Sequence, residues 1–125
     1  MPAPASLPAS HFVISRKQTT FVAKYLAMSY ERKIINDPVF GFINIPKGLL
    51  YDIVRHPLLQ RLTRIKQLGL SSVVYPGAQH TRFQHSLGAF YLMSEAIQQL
   101  TAKGNFIFDS EAEAVQAAIL MHDIG

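Results

Sequence analysis

Two histidines and one aspartate carry the chemistry that this sequence can support. His122 and Asp123 are adjacent near the last residue, and His85 lies upstream in the run HTRFQHSLG, residues 80–88. Imidazole and carboxylate groups on consecutive helices suit Fe, Mn, Zn or Co; Mg is possible but prefers oxygen ligands. A buried carboxylate is costly unless it is paired or binds a metal. The spacing therefore predicts a divalent-metal site, although a single histidine on an apolar helix face is more often a core residue.

Basic side chains lie close to these three residues in the sequence. Arg82 precedes His85 by one helical turn, so we expect it to project beside the metal, where a guanidinium can bind a phosphate. A second group of four basic residues is predicted to share one helix face. A solvated face explains this group, and a nucleotide or nucleic-acid contact is the alternative that is not favoured. Its members are Arg55, Arg61, Arg64 and Lys66.

Composition restricts the class of protein. The chain has 125 residues and 49% apolar residues, enough for the core of one domain. Cysteine is absent, which excludes disulfides and thiolate ligands and fits a reducing compartment. No apolar run approaches about 18 residues and no secretory leader is recognisable, so we expect a cytoplasmic protein without a membrane span. The net charge of +4 mildly favours an anionic partner such as a nucleotide.

Three regions follow from the distribution of residue types. Residues 1–28 are rich in Pro, Ala and Ser and contain no acidic residue, which predicts a flexible tail or an upstream mis-start with Met28 as the true first residue. Residues 29–52 alternate β-favouring residues around Asp37-Pro38, which predicts a small hairpin and a short connector. Residues 53–125 show helical spacing throughout and are predicted to form a helical domain.

Three helices must position the candidate residues. One should begin at Pro57 and end at Gly69, with its buried face formed by Leu58, Leu62 and Ile65. The next should run from His85 to Leu100 after a loop at residues 75–78.

The last helix should begin with a capping box made by Ser110 and Glu113. Its buried face should include Val115, Ala118, Ile119 and His122. Asp123 should be displaced from that face by about 100°.

Four sequence blocks resemble the HD-domain phosphohydrolases, in particular the deoxynucleoside triphosphate triphosphohydrolase branch that includes the vertebrate SAM-and-HD-domain enzyme. They are KIINDPVFG (33–41), HPLLQRLTRIKQLG (56–69), VYPGAQHTRFQHSLG (74–88) and AAILMHDIG (117–125). The resemblance implies a mainly α fold: the N-terminal part of an HD domain, preceded by a small β-hairpin and ending within the active site.

The resemblance also assigns roles to individual residues. It implies that His85, His122 and Asp123 are three of four protein ligands of a divalent metal. It implies that Arg82 contacts the substrate and that Gln67-Leu68 lies against the nucleotide sugar; packing at a helix end is the alternative for that pair. The implied reaction is hydrolysis of a deoxynucleoside triphosphate to deoxynucleoside and triphosphate.

Several features of the family pattern have no counterpart in this chain. The fourth ligand, an aspartate, and the histidine expected just after the HD-x-G run would both lie beyond Gly125. We therefore expect the 125-residue chain to be an inactive fragment of a parent enzyme that self-associates. Val54-Arg55-His56 lacks the acidic residue that binds an effector nucleotide in regulated relatives. Hydrolysis of monophosphates or cyclic nucleotides, and non-catalytic nucleotide or nucleic-acid binding, stay open as alternatives.

Overall fold

A computed structural model of the protein describes residues 32–125. This part of the chain is mainly α-helical and begins with a two-stranded hairpin, which confirms the predicted fold class. The predicted tail, residues 1–28, lies outside the described residues, and the predicted division of the rest after residue 52 stays a prediction. The elements are β1 (Arg32–Asp37), β2 (Gly41–Pro46), α1 (Leu49–Arg55), α2 (Pro57–Gln60), a 3-10 helix (Arg61–Arg64), α3 (Ser71–Val74), α4 (Arg82–Ala102) and α5 (Asp109–Met121).

The hairpin is closed by a short turn after Asp37. The strands pair antiparallel, with Asp37 opposite Gly41. One carboxylate oxygen of Asp37 accepts hydrogen bonds from the backbone N–H groups of Val39 and Phe40, at 2.8 and 3.0 Å. Such local bonding is typical of aspartate in tight turns. Gly41 has a φ of +73°, a value that glycine adopts without strain.

One apolar cluster joins the hairpin to the helices. The strands alternate, so that one face of β2 is buried and the opposite face, with Phe42, is exposed. Helices α4 and α5 pack against each other, and α1 packs against α5. The buried members of the cluster are Ile43, Ile45, Leu50, Val54, Leu59, Leu62, Leu87, Phe90, Ala117 and Leu120.

The turn of the hairpin, and not another helix, approaches the small residues of α4. A Cβ atom added at Gly88 would lie 2.8 Å from Cε2 of Phe40, so the ring occupies the space that the glycine leaves. The Phe40 ring also stacks on Tyr91, with ring centroids 4.9 Å apart. These contacts attach the hairpin to the first half of α4.

The predicted helix from Pro57 to Gly69 is wrong in its second half. The helical segment ends with the 3-10 helix at Arg64, and Ile65 is extended, with φ −109° and ψ +120°. The carbonyl of Ile65 accepts a hydrogen bond of 2.9 Å from the N–H of Arg82, so pairing with a distant segment replaces the local helical bond. Leu59 is buried in place of the predicted Leu58, which is 50% exposed.

The predicted start and buried face of the last helix are also wrong. The helix α5 begins at Asp109, because the Glu111 carboxylate, and not Glu113, accepts a bond of 3.0 Å from the N–H of Phe108. Ala117 and Leu120 are buried and the predicted Ile119 packs partly buried against the core, whereas the predicted Val115, Ala118 and His122 are exposed. Packing against both α4 and α1 selects this face.

Candidate metal centre

A capping box fixes the start of α4 and with it two candidate residues. The Thr81 hydroxyl accepts a bond of 3.2 Å from the Gln84 N–H, and the Gln84 side chain accepts one of 2.9 Å from the Thr81 N–H. Both donors would otherwise lack partners at a helix start. The box makes Arg82 the first helical residue and places His85 one turn later. The pattern T-x-x-Q at residues 81–84 is a capping-box signal in the sequence that the spacing of apolar residues does not reveal.

The end of α5 carries the other two candidate ligands. His122 follows the last helical residue, Met121, and its Nδ1 atom lies 2.6 Å from the carbonyl oxygen of Ile119. A carbonyl oxygen only accepts, so this contact assigns the proton of the neutral ring to Nδ1, and Nε2 is then the nitrogen whose lone pair can bind a metal. Hydrogen bonding of one ring nitrogen to a backbone carbonyl is the usual way in which proteins orient a metal-binding histidine.

Antiparallel packing of α4 and α5 brings the start of the first helix beside the end of the second. The Nε2 atoms of His85 and His122, 37 residues apart in the chain, are separated by 3.2 Å. Two nitrogens about 2.1 Å from one ion, at an angle of 90–100°, lie about 3.0–3.2 Å apart. The histidine pair therefore already has the spacing of two neighbouring ligands of one ion.

Asp123 completes a group of three potential ligands. Donor atoms of His85, His122 and Asp123 all lie within 4.8 Å of one another. Two ligands on opposite sides of one ion are at most about 4.3 Å apart, so the spread of this group is close to that of a single coordination shell. Oδ2 of Asp123 is buried and has no hydrogen-bond partner within residues 32–125. A buried carboxylate oxygen without a partner is costly, and a cation beside it removes that cost, so this donor set fits a divalent metal.

Arg82 borders the group, and both Arg82 and Gln67 have a buried polar atom without a hydrogen-bond partner in residues 32–125. An Nη atom of Arg82 lies 3.8 Å from Oδ1 of Asp123, a long ion pair between partly exposed side chains. Nε of Arg82 and Oε1 of Gln67 are buried, without hydrogen-bond partners in the described part of the chain. The N–H of Gln67 donates to the carbonyl of His80 at 3.1 Å, which holds the two segments together. Nε of Arg82 and Oδ2 of Asp123, on two side chains in contact, are thus available to a ligand at the group.

Leu68 lies in a turn and not at a helix end. It is 51% exposed and belongs to the segment between the 3-10 helix and α3. The packing role that was the alternative for Gln67-Leu68 is therefore wrong for Leu68, because no helix ends there and the side chain is outside the core. The sugar contact implied for this pair stays a prediction.

A cavity of about 290 Å³ opens beside His85, between the hairpin turn and α4. Phe40, Gly88 and Leu92 give it apolar walls, and His80 and Gln84 stand at its polar side. These walls come from α4 and from the hairpin turn that contacts α4 at Gly88. An apolar group bound there would lie next to one of the candidate metal ligands.

Three residues of the predicted basic face are engaged within the protein. Arg55 stacks over the ring of Tyr51 at 5.3 Å from its centroid. Lys66 donates to the carbonyl of Gln79 at 2.8 Å, and Arg61 donates to the carbonyl of Ile124 at 2.8 Å. A face whose charges serve intramolecular contacts is a poorer candidate for binding nucleic acid, which depends on exposed positive charge.

The sequence and the structure are both similar to known proteins. The chain is 45% identical over 95 residues to the deoxynucleoside triphosphate triphosphohydrolase SAMHD1 of Bos taurus, a match over 74% of this chain and 16% of that protein. It is 37% identical over 95 residues to the uncharacterized protein YwfO of Bacillus subtilis, over 76% of this chain and 22% of that protein. The crystal structure of a phosphohydrolase from Bacteroides thetaiotaomicron superimposes with a TM-score of 0.74 at 96% identity, over 75% of this chain and 23% of that chain.

The region of similarity matches a partial HD-domain fragment of such proteins. The chain spans only 16% to 23% of the length of these three proteins. A search of protein-family models finds no match. Within residues 32–125, none of the helices has the length and apolar character needed to cross a membrane.

Proposed function

We propose that this segment supplies metal ligands and substrate contacts to an active site that hydrolyses deoxynucleoside triphosphates to deoxynucleoside and triphosphate. The observation that carries the proposal is the convergence of His85, His122 and Asp123 beside Arg82. The similarity to a mammalian deoxynucleoside triphosphate triphosphohydrolase supports the choice of substrate. Self-association of the whole protein and a cytoplasmic location remain predictions.

The two histidines and the aspartate would hold a divalent ion, with Fe, Mn, Zn or Co preferred to Mg because two ligands are nitrogens. Such an ion, when bound, supplies Lewis-acid polarisation of a phosphate and orients the substrate. The bond from Nδ1 of His122 to the Ile119 carbonyl supports this role, because it directs the Nε2 lone pair toward the site.

Arg82 is the proposed phosphate contact. Its guanidinium offers a planar set of donors that matches phosphate oxygens. The Arg82 side chain is 39% exposed on the open side of the group, and its ion pair with Asp123 is long at 3.8 Å. A triphosphate can therefore compete for the guanidinium at little cost, because a long, partly exposed ion pair contributes little stability.

Gln67 and Leu68 are the proposed sugar contacts. The buried Oε1 atom of Gln67 has no partner within residues 32–125 and can accept a hydrogen bond from a sugar hydroxyl. Leu68 is half exposed and offers an apolar surface to the ring. An apolar side chain against the 2′ position accepts a deoxyribose more readily than a ribose, whose additional hydroxyl would lose hydrogen bonds to water.

A substrate panel tests the proposal. The 125-residue chain and the phosphohydrolase of Bacteroides thetaiotaomicron, whose matched segment is 96% identical, are each incubated with Mn²⁺ and with Fe²⁺. The panel contains deoxynucleoside triphosphates, ribonucleoside triphosphates, monophosphates and cyclic nucleotides. Release of triphosphate from the deoxynucleotides by the longer protein, lost on substitution of its counterpart of His122, is the expected result.

The alternatives predict different results in the same panel. Turnover of monophosphates or cyclic nucleotides alone would show that the proposed substrate is wrong and that the enzyme acts on another class of nucleotide. Metal-independent binding that weakens steeply with salt, without turnover, would indicate a nucleic-acid or nucleotide binder. We expect the 125-residue chain alone to bind metal without turning over substrate, because it provides three ligands and lacks most of the length of its relatives.

A further inference from the structure

A hydrogen bond connects the 3-10 helix to the residue that follows the two candidate ligands at the end of α5. An Nη atom of Arg61 donates to the carbonyl oxygen of Ile124 at 2.8 Å, across 63 residues of sequence. The same nitrogen lies 3.9 Å from the position of a Cβ atom built on Gly125. The donor is charged, which makes the bond stronger than one between neutral groups.

The backbone on the Arg61 side of this bond is firmly held. Leu62, the next residue, is 1% exposed and belongs to the apolar cluster, and Leu59 on the other side is fully buried. The guanidinium is therefore attached to a fixed point of the core, although the side chain itself is exposed. A bond from such a point can restrict the partner segment.

The partner segment lies beyond the end of a helix, where the Ile124 side chain packs partly buried against the apolar cluster and the Arg61 bond holds the Ile124 backbone carbonyl. Helix α5 ends at Met121, and carbonyl groups at a helix end lack helical partners. The N–H of Ile124 donates to the Met121 carbonyl at 3.2 Å, which closes a turn around His122 and Asp123. The Arg61 guanidinium binds the carbonyl of the same residue, Ile124. The turn that carries the two candidate ligands is therefore held at the N–H of Ile124 by Met121 and at its carbonyl by Arg61.

Other members of the basic face do not have this contact. Arg55 and Lys66 make the contacts with Tyr51 and Gln79 described above. Arg64 lies one turn from Arg61 in the same 3-10 helix, and residues 32–125 provide no hydrogen bond to its side chain. Arg64 is therefore a matched control for charge and location.

We propose that Arg61 is a positioning residue for the metal centre: through the Ile124 carbonyl it fixes the turn that directs His122 and Asp123 toward His85. This inference rests on the proposed metal site. Arg61 touches neither substrate nor metal in this role. Its effect on a ligand resembles that of outer partners that orient metal-binding side chains, whose loss commonly weakens metal binding by about 10- to 100-fold.

Co²⁺ titration of the full 125-residue chain tests the inference, with visible absorption as the readout. We expect Arg61→Ala to weaken Co²⁺ binding by about 10-fold, the lower end of the range for outer partners. We also expect the d–d bands at saturation to change, because displacement of one ligand alters the coordination geometry. Arg64→Ala should stay within about twofold of the unchanged chain, and Arg61→Lys, which keeps a charged donor, should recover part of the affinity.

Amide hydrogen exchange of the metal-free chain gives a second readout that does not depend on the proposed function. The N–H of Ile124 should exchange faster in Arg61→Ala and at an unchanged rate in Arg64→Ala. Unchanged Co²⁺ affinity and spectrum in Arg61→Ala, together with unchanged exchange at Ile124, would overturn the inference. Failure of the unchanged chain to bind any Co²⁺ would contradict the proposed metal site, and the exchange rate would still decide whether Arg61 holds the turn.

Discussion

The side-chain amide of Gln116 donates a hydrogen bond of 2.9 Å to the hydroxyl of Ser94, joining α5 to α4 at the middle of the helix pair. The Ser94 hydroxyl in turn donates to the carbonyl of Phe90 at 2.9 Å. The two helices are antiparallel, so the candidate site lies toward the N-terminal end of α4 and the C-terminal end of α5, where His85 contacts His122. The polar link therefore helps to set the register in which the two histidines converge.

Replacing Gln116 with alanine should lower the free energy of unfolding by about 1 kcal/mol, the usual net contribution of a partly buried hydrogen bond. Urea denaturation followed by far-UV circular dichroism measures the change. Gln98→Ala, on the exposed end of α4, is the matched control and should change stability by less than about 0.5 kcal/mol. Equal effects of the two substitutions would show that the Ser94 link does not stabilise the helix pair.

The close approach of Phe40 to Gly88 predicts that alanine is harmful at a helical position where it usually helps. Gly to Ala within a helix ordinarily stabilises by roughly 0.5–1 kcal/mol. In Gly88→Ala the new methyl group would displace a ring that Tyr91 also holds, and overpacking of this kind costs about 1–3 kcal/mol. We expect a net loss of about 1 kcal/mol, measured as a lower melting temperature.

Two further variants check that interpretation. Gly77→Ala, where an added Cβ meets nothing within 4 Å, should leave the melting temperature nearly unchanged. Combining Gly88→Ala with Phe40→Leu should lose less stability than the sum of the two single changes, because the smaller side chain leaves room for the methyl group. A stabilised Gly88→Ala protein would contradict the close contact.

The capping box at the start of α4 should matter for both stability and ligand binding. Thr81→Ala removes the acceptor of the Gln84 N–H and should cost about 1 kcal/mol, whereas Thr81→Ser should retain most of the stability. Fraying of the first turn would also displace Arg82, so we expect weaker binding of inorganic triphosphate in Thr81→Ala. Isothermal titration calorimetry measures that affinity. An unchanged affinity in the alanine variant would show that the capping box does not control the position of Arg82.

Divalent metal should stabilise the chain through the His85, His122 and Asp123 group. At a Mn²⁺ or Co²⁺ concentration 100 times the dissociation constant, the expected gain is about 2.7 kcal/mol, and a chelator should reverse it. His85→Ala and His122→Ala should each abolish most of the gain. His80→Ala removes a nearby exposed imidazole that is outside the group, so it should keep the gain; losing it there would indicate nonspecific histidine binding.

Local patterns predicted some elements well because the interactions that form them are local. Asp37-Pro38 between alternating β-favouring residues predicts the hairpin, and Asp37 closes the turn with its own side chain. The spacing of apolar residues predicts the long helix from His85 to Leu100 and a second helix after it, and the observed helix, Arg82–Ala102, begins one turn earlier because of the capping box. The adjacency of His122 and Asp123, with His85 on the preceding helix, was enough to nominate the group that the structure brings together.

Predictions failed where distant segments decide the conformation. Ile65 fits a helical stripe, yet its carbonyl bonds to the N–H of Arg82, and no property of residues 57–69 alone reveals that partner. The buried face of α5 was predicted incorrectly because it depends on packing against two helices, α4 and α1, and the residues of α5 alone do not show where these helices lie. Arg61 was predicted to be one of four solvated charges, because its acceptor at Ile124 lies 63 residues away in the sequence.

Because His85 and His122 are separated by 37 residues and meet only when α4 and α5 pack, an ion shared by them is a reversible cross-link between two distant points of the chain. By the chain-entropy relation for disulfides, closing a loop of that size costs roughly 4 kcal/mol, and because the packed helices have already closed it, an ion binds the folded chain much better than the unfolded chain. Metal supply would then govern how long the polypeptide survives proteolysis as well as whether it is chemically competent. A shortage of metal would reduce the amount of protein together with its activity.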